Sequence, residues 1–171
     1  MAAEFIDTEK ANLSQHFLSS QISEACADLL LPLLKSSNSL KGTIVIGCSF
    51  GDFHGLGKKI VKAYLKSSLY NVIDLGLSVK PETFIVEAVK NRASIILISS
   101  MKIHTARSEQ GSLGVRKILA DKNLGHIKII VGGAPYRFDK HLYTAVHADA
   151  FAKTALESVK TIQILMNEVK I

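Results

Sequence analysis

From residue 43 onward, β-branched apolar runs alternate with amphipathic stretches, and this alternation limits the fold more narrowly than any other property of the chain. Thr43 to Cys48, Asn71 to Leu75, Ser94 to Ser99 and Ile127 to Val131 read as strands, near-continuously apolar and not apolar on every second residue. Strands of that kind are buried on both faces, as in a parallel sheet covered by helices on each side. The intervening stretches supply the helices. Pro81 stands at a first-turn position, and Phe84, Ile85, Ala88 and Val89 share a face behind it; Val115, Ile118 and Leu119 mark another helix. A short fifth strand around Ala148 to Phe151 follows. A last helix from about Thr154 carries Ala155, Val159, Ile162, Met166 and Val169 at intervals of three or four. Five β/α units result. The fold class is α/β: a flavodoxin-like, Rossmann-like five-stranded parallel sheet with helices on both faces.

Residues 1–40 differ in character. They hold no strand pattern, and Leu18, Ile22, Ala25 and Leu29 form a helical stripe before Pro32, with Ser36-Ser-Asn-Ser39 as a linker. The expected organisation is a short helical N-terminal segment over 1–40 and one α/β domain over 41–171. An exposed apolar stripe of this kind suits a homodimer contact.

The bulk properties exclude some functions. The chain carries a net charge of +6, but its lysines are scattered and its four arginines, Arg92, Arg107, Arg116 and Arg137, form no patch. No aromatic-interleaved basic strand, recognition helix or zinc pattern accompanies the charge, so no nucleic-acid partner is expected. No apolar run approaches membrane-spanning length, and Glu4, Asp7 and Glu9 replace the basic region of a leader. Cys26 and Cys48 have neither metal nor disulfide spacing. A soluble, unprocessed cytoplasmic protein is the expectation.

In an open parallel sheet, ligands sit beyond the carboxyl ends of the strands. Directly after the first strand stands Gly51-Asp-Phe-His-Gly-Leu-Gly57. A carboxylate two residues before an imidazole can accept the Nδ1 proton, which leaves Nε2 as a metal ligand. Asp52 could equally cap the helix that follows. Two further strand ends carry polar or flexible residues, Ser99-Ser100-Met101 and Gly132-Gly133, and His104 follows the first of them. Ser99 alone could be a strand-end serine bonded to local backbone, and the glycine pair a simple turn.

Asp52, His54 and Gly57 resemble the Asp-x-His-x-x-Gly signature of cobalamin-binding domains, followed in order by a counterpart of the Ser-x-Leu motif (Ser99 to Met101) and by Gly132-Gly133. The resemblance covers about residues 42 to 160 and is strongest to corrinoid proteins of methyltransferase systems. It implies a cobalamin cofactor held base-off, with His54 as the cobalt ligand. The dimethylbenzimidazole tail would occupy a slot kept open by Gly55 and Gly57, with Ser99 on the benzimidazole nitrogen, Met101 in place of the usual leucine, and Gly132 and Gly133 under the nucleotide loop. Phe53 would join the cofactor surface, and His104 would either bond a propionamide or face solvent. The implied activity is methyl transport between partner methyltransferases, without a complete reaction on this chain. A cobalamin-dependent regulator and the small subunit of an adenosylcobalamin mutase are the other functions the resemblance allows.

A rival reading comes from other residues. Gly51, Gly55 and Gly57 also match the glycine loop of short-chain NAD(P)-dependent reductases, Tyr136 and Lys140 supply a Tyr-x-x-x-Lys pair, and Asp74 stands where a ribose partner would be expected. In those enzymes the lysine lowers the tyrosine pKa for proton transfer and the glycines cradle the dinucleotide phosphates; here the pair follows a Gly-Gly-Ala-Pro strand end instead of lying along a long helix, and the further strands of such an enzyme are missing. His126, His141 and His147 have no carboxylate or cysteine at ligand spacing and are assigned no metal role.

Overall fold

The computed structural model describes residues 12–30 and 40–168. Among the described residues helix α1 (Leu13–Leu30) comes first, and it packs against α2 (Leu56–Ser67). Leu18, Ile22, Ala25 and Leu29 of α1 are all exposed. Pro32 and the serine-rich linker fall outside the described residues, as do the acidic residues near the N-terminus and Val169.

The domain alternates strand and helix: β1 (Thr43–Cys48), α2, β2 (Asn71–Asp74), α3 (Pro81–Lys90), β3 (Ile95–Ser99), the short α4 (Ile103–Arg107), α5 (Ser112–Asp121), β4 (Lys128–Gly132), the short α6 (Ala134–Phe138) and α7 (Leu142–Ala145), β5 (Ala150–Ala152) and α8 (Ala155–Glu168). All neighbouring strands are parallel, in the order β2-β1-β3-β4-β5. This is the flavodoxin-like arrangement that the sequence predicts. The order reverses between β1 and β3, so the loops leaving these two strands part company there and open a crevice. The register places Cys48 beside Ser99, Ser99 beside Gly132, and Gly132 beside Ala152, so the motif-bearing strand ends form one edge.

Successive side chains of a strand point to opposite faces, and here both faces are covered. Val45, Ile96, Ile98, Ile129 and Val131 pack with Phe84 and Ile85 of α3 and Val115 and Leu119 of α5. Ile44, Ile46, Ile95, Leu97 and Ile130 pack on the other side with Leu65 of α2 and Val159, Ile162 and Leu165 of α8. That two-sided burial is why the strands read as unbroken apolar runs.

Two details differ from the sequence reading. Val89 is 52% exposed, and the buried face of α3 is Pro81, Phe84, Ile85 and Ala88. At about 100° per residue, Val89 lies roughly a quarter turn from the centre of that stripe. The fifth strand begins at Ala150 and not at Ala148. Before it, the Asp149 N–H reaches the Ile129 carbonyl at 2.9 Å, but the Ile129 N–H goes to the Asp149 carboxylate at 2.6 Å and the His147 carbonyl to Arg116, so the ladder is incomplete until Ala150.

Candidate functional site

The site begins where β1 runs out. Ser49 N–H donates to the Ser99 carbonyl at 3.0 Å, and the Ser49 and Ser100 hydroxyls lie 2.7 Å apart, tying the ends of β1 and β3 together. Gly51, at φ +76°, turns the chain, and the Asp52 N–H returns to the Ser49 carbonyl at 2.9 Å. This tight turn drives the Asp52 side chain inward until it is 1% exposed.

Asp52 is not a helix cap. The N-cap position of α2 is Gly55, without a side-chain cap bond. The carboxylate instead holds two loops. Oδ1 accepts the backbone N–H of His54 at 3.0 Å and meets its Nδ1 at 2.9 Å; Oδ2 accepts the Met101 N–H at 2.5 Å and the Thr105 hydroxyl at 3.2 Å. Burial pushes the Asp52 pKa up, but the hydrogen bonds from Met101, His54 and Thr105 outweigh it and hold the group below the ordinary carboxylate value. An ionised Asp52 makes Nδ1 the donor and leaves Nε2 with its lone pair. Nε2 has no partner among the described residues, and the imidazole is about half exposed.

Beside this imidazole opens a cavity of about 630 Å³, between the carboxyl ends of the strands and helices α2 and α8. His54, Gly55, Gly57, Ser99, Met101, Gly132 and Gly133 all line it. Its walls are mainly apolar, with Ile46 and Leu97 from the sheet and Ile60 and Val61 from α2. A Cβ on Gly57 would meet no atom within 4 Å, so this glycine faces open space. A Cβ on Gly55 would meet Leu77 Cδ2 at 2.8 Å, so Gly55 serves the approach of Leu77 to α2 more than the opening of the cavity. Gly133 has φ +114°, and a Cβ there would lie 2.0 Å from the Ser100 carbonyl oxygen; only glycine lets the ends of β3 and β4 approach this closely.

Two expected residues stand apart from the cavity. Phe53 is 69% exposed on the rim, and His104 is exposed on α4. Phe50, Leu56, Leu77, Met101 and Ile103, which follow the ends of β1, β2 and β3, are exposed as well.

The structure adds residues that sequence reasoning missed. Thr105 reaches Asp52 from α4, a hydroxyl six residues beyond Ser99. Lys58, in the basic stretch after Gly57, is 4% exposed at the cavity wall. It donates to Asp74 at the end of β2, which Lys62 also approaches at 3.6 Å. Burial raises the Asp74 pKa, and the opposing Lys58 hydrogen bond and charge, with the Gly76 N–H, carry it below the ordinary value. Cys48 is buried, donates to the His54 carbonyl at 3.5 Å, and is pushed by burial up to about 11, so its thiol stays protonated.

The rival reductase reading does not survive. Tyr136 is 1% exposed within the core on the α3 and α5 side of the sheet, and burial pushes its hydroxyl up to about 12, the reverse of an activated proton donor. Lys140 is exposed beyond the end of α6, and Asp74 is committed to Lys58 and Lys62.

The chain is similar to known proteins. Over 126 residues the chain is 34% identical to a corrinoid protein of Desulfitobacterium hafniense (strain Y51), covering 73% of this chain and 56% of that protein. It is 32% identical over 130 residues to trimethylamine corrinoid protein 1 of Methanosarcina mazei, covering 75% and 58% respectively. The chain thus spans between 56% and 58% of these relatives' length. In fold it is similar to the crystal structure of a cobalamin-binding protein from Desulfitobacterium hafniense DCB-2, with a TM-score of 0.78 at 24% identity, covering 95% of this chain and 75% of that one. The family model of the B12 binding domain matches residues 42–160, a span that takes in β1, the Asp52–His54 pair and every cavity-lining strand end, and the chain belongs to that family.

Proposed function

We propose that this chain holds cobalamin base-off, with His54 Nε2 as the lower ligand of cobalt, and carries methyl groups between partner methyltransferases. The observation that supports it best is the imidazole held through Nδ1 by a buried, ionised Asp52 at the mouth of a mainly apolar 630 Å³ cavity. The residues present fit the cofactor: a neutral imidazole is a suitable cobalt donor, and Gly57 leaves room that a Cβ would occupy. When bound, cobalamin supplies a cobalt centre that accepts and releases methyl groups.

The remaining chemistry belongs to the chain. Asp52 fixes the tautomer and the direction of Nε2. Through Met101 N–H and Thr105 it also joins the His54 loop to the loop after β3. Ser99 offers a hydroxyl to the lower base inside the cavity, and Met101 an adaptable apolar side chain. Phe53 offers apolar surface to the macrocycle, His104 a partner for a peripheral amide, and Gly132 and Gly133 a flat floor. Residues 41–171 form the cofactor domain, and residues 1–40 a separate segment. The carrier reading, rather than a regulator or a mutase subunit, is supported by relatives named as corrinoid proteins, one of them for trimethylamine, a methylated amine.

The test is an absorption spectrum after incubation with hydroxocobalamin and removal of unbound cofactor. The expected result is retained corrin bands in the parent chain, and bands that persist but shift in His54→Ala. An identical spectrum in the variant would remove His54 as the ligand; loss of all colour from the parent would remove the cofactor.

A further inference from the structure

The strand end after β3 carries two adjacent hydroxyls, and the proposed function uses only that of Ser99, which lines the cavity. Successive side chains of an extended chain point to opposite faces. The Ser100 hydroxyl lies 2.7 Å from that of Ser49, and both residues are 1% exposed. The Tyr136 hydroxyl faces Ser100 without completing a hydrogen bond, and neither Ser49 nor Tyr136 lines the cavity. A Cβ on Gly111 would come within 3.5 Å of Ser49 Oγ, so the residue before α5 closes over the pair. Walled in this way, each hydroxyl has the other as its partner.

The pair belongs to a closed circuit of contacts that includes Asp52. The Asp52 N–H donates to the Ser49 carbonyl at 2.9 Å, and Asp52 Oδ2 accepts the N–H of Met101, which a peptide bond joins to Ser100. The Ser49–Ser100 bond closes that circuit. It follows the backbone bond from Ser49 N–H to the Ser99 carbonyl, at the point where the loops leaving β1 and β3 diverge. Hydrogen bonds weaken steeply with misalignment, so the separation of the two loops decides how well Met101 holds the carboxylate.

We propose that the Ser49–Ser100 hydroxyl pair is a positioning contact for His54. It fixes the loop separation at which Met101 N–H reaches Asp52, and through Asp52 it sets the direction of the imidazole. This rests on the reading of His54 as the lower ligand and adds the residues that aim it from outside the cavity. No bond is made or broken.

The experiment compares the parent with Ser49→Ala, Ser100→Ala and the double variant, all without cofactor, by amide hydrogen exchange and by ring-nitrogen NMR of His54. Removing one hydroxyl leaves the other buried and unpaired, which costs stability, whereas removing both relieves that cost. Amides within β1 and β3 report this stability. A merely structural pair would therefore show its effect in the single variants and lose it in the double. For a positioning pair, the strand amides of the double variant should return to within about threefold of the parent, while the Met101 and His54 amides exchange about tenfold faster. The fraction of His54 protonated on Nδ1 should also fall at about pH 8, where an imidazole is neutral. Met101 exchange within about twofold of the parent in the double variant would overturn the proposal. An equal change in Tyr136→Phe, which removes a hydroxyl beside Ser100 but leaves the pair intact, would overturn it too. Retention of hydroxocobalamin is measured separately: its loss from the parent would overturn the cofactor reading, whereas the amide and ring signals, read without cofactor, decide this proposal on their own.

Discussion

Asp52 and Gly57 show how single residues define the site. A carboxylate that is 1% exposed would ordinarily resist ionisation, and Asp52 ionises because four donors from Met101, His54 and Thr105 converge on it. In Asp52→Asn the amide group turns a donor toward one of these N–H or O–H groups. The apo-protein should lose about 1–3 kcal/mol in urea unfolding, and the cofactor spectrum should shift with it. Gly57 separates folding from binding. It lies in the first turn of α2, where glycine is unfavourable, and faces open cavity. Gly57→Leu should therefore leave apo stability unchanged or raise it by up to about 1 kcal/mol, while abolishing cobalamin retention on gel filtration. The Asp-x-His spacing made this pair legible in the sequence. Thr105 was not legible, because its contact with Asp52 spans 53 residues and depends on where α4 starts.

Among the elements, α2 is held to the end of β2 by a lysine that only tertiary structure buries. The stretch after Gly57 is basic, and within it Lys58 faces inward and pairs with Asp74. Removing one partner of such a pair leaves an uncompensated charge, and Asp74→Asn should cost about 3 kcal/mol near neutral pH. The sign of the pH dependence follows from the lowered folded-state pKa of Asp74. Its ionisation contributes stability that is complete above the ordinary value of 3.8 and fades as pH falls through the lower folded value. The gap between parent and Asp74→Asn in urea unfolding should accordingly be full at pH 7 and shrink below pH 3.8. The strands were easier to read than the helix faces. β1 lies where its apolar run predicts, whereas Val89 shows that helical spacing alone does not mark the edge of a buried stripe.

At the scale of the whole molecule, the parallel sheet collects its motif-bearing strand ends on one edge and leaves a cavity there while closing the rest of both faces. A folded domain that keeps such a cavity gains stability when a ligand fills it, because the unfolded chain has no site. Hydroxocobalamin at about a hundred times its dissociation constant should stabilise the protein by about 2.7 kcal/mol, seen as a rise in melting temperature that His54→Ala reduces and Gly57→Leu removes. Among the described residues no helix is long and apolar enough to cross a membrane. The sequence by itself determined the five β/α units, the parallel sheet and the place of Asp52 and His54, because two-sided burial and a two-residue spacing are local patterns. Only the tertiary structure decided that Lys58 is buried, that Thr105 supports Asp52 and that Tyr136 is core, because each depends on contacts between segments far apart in the chain.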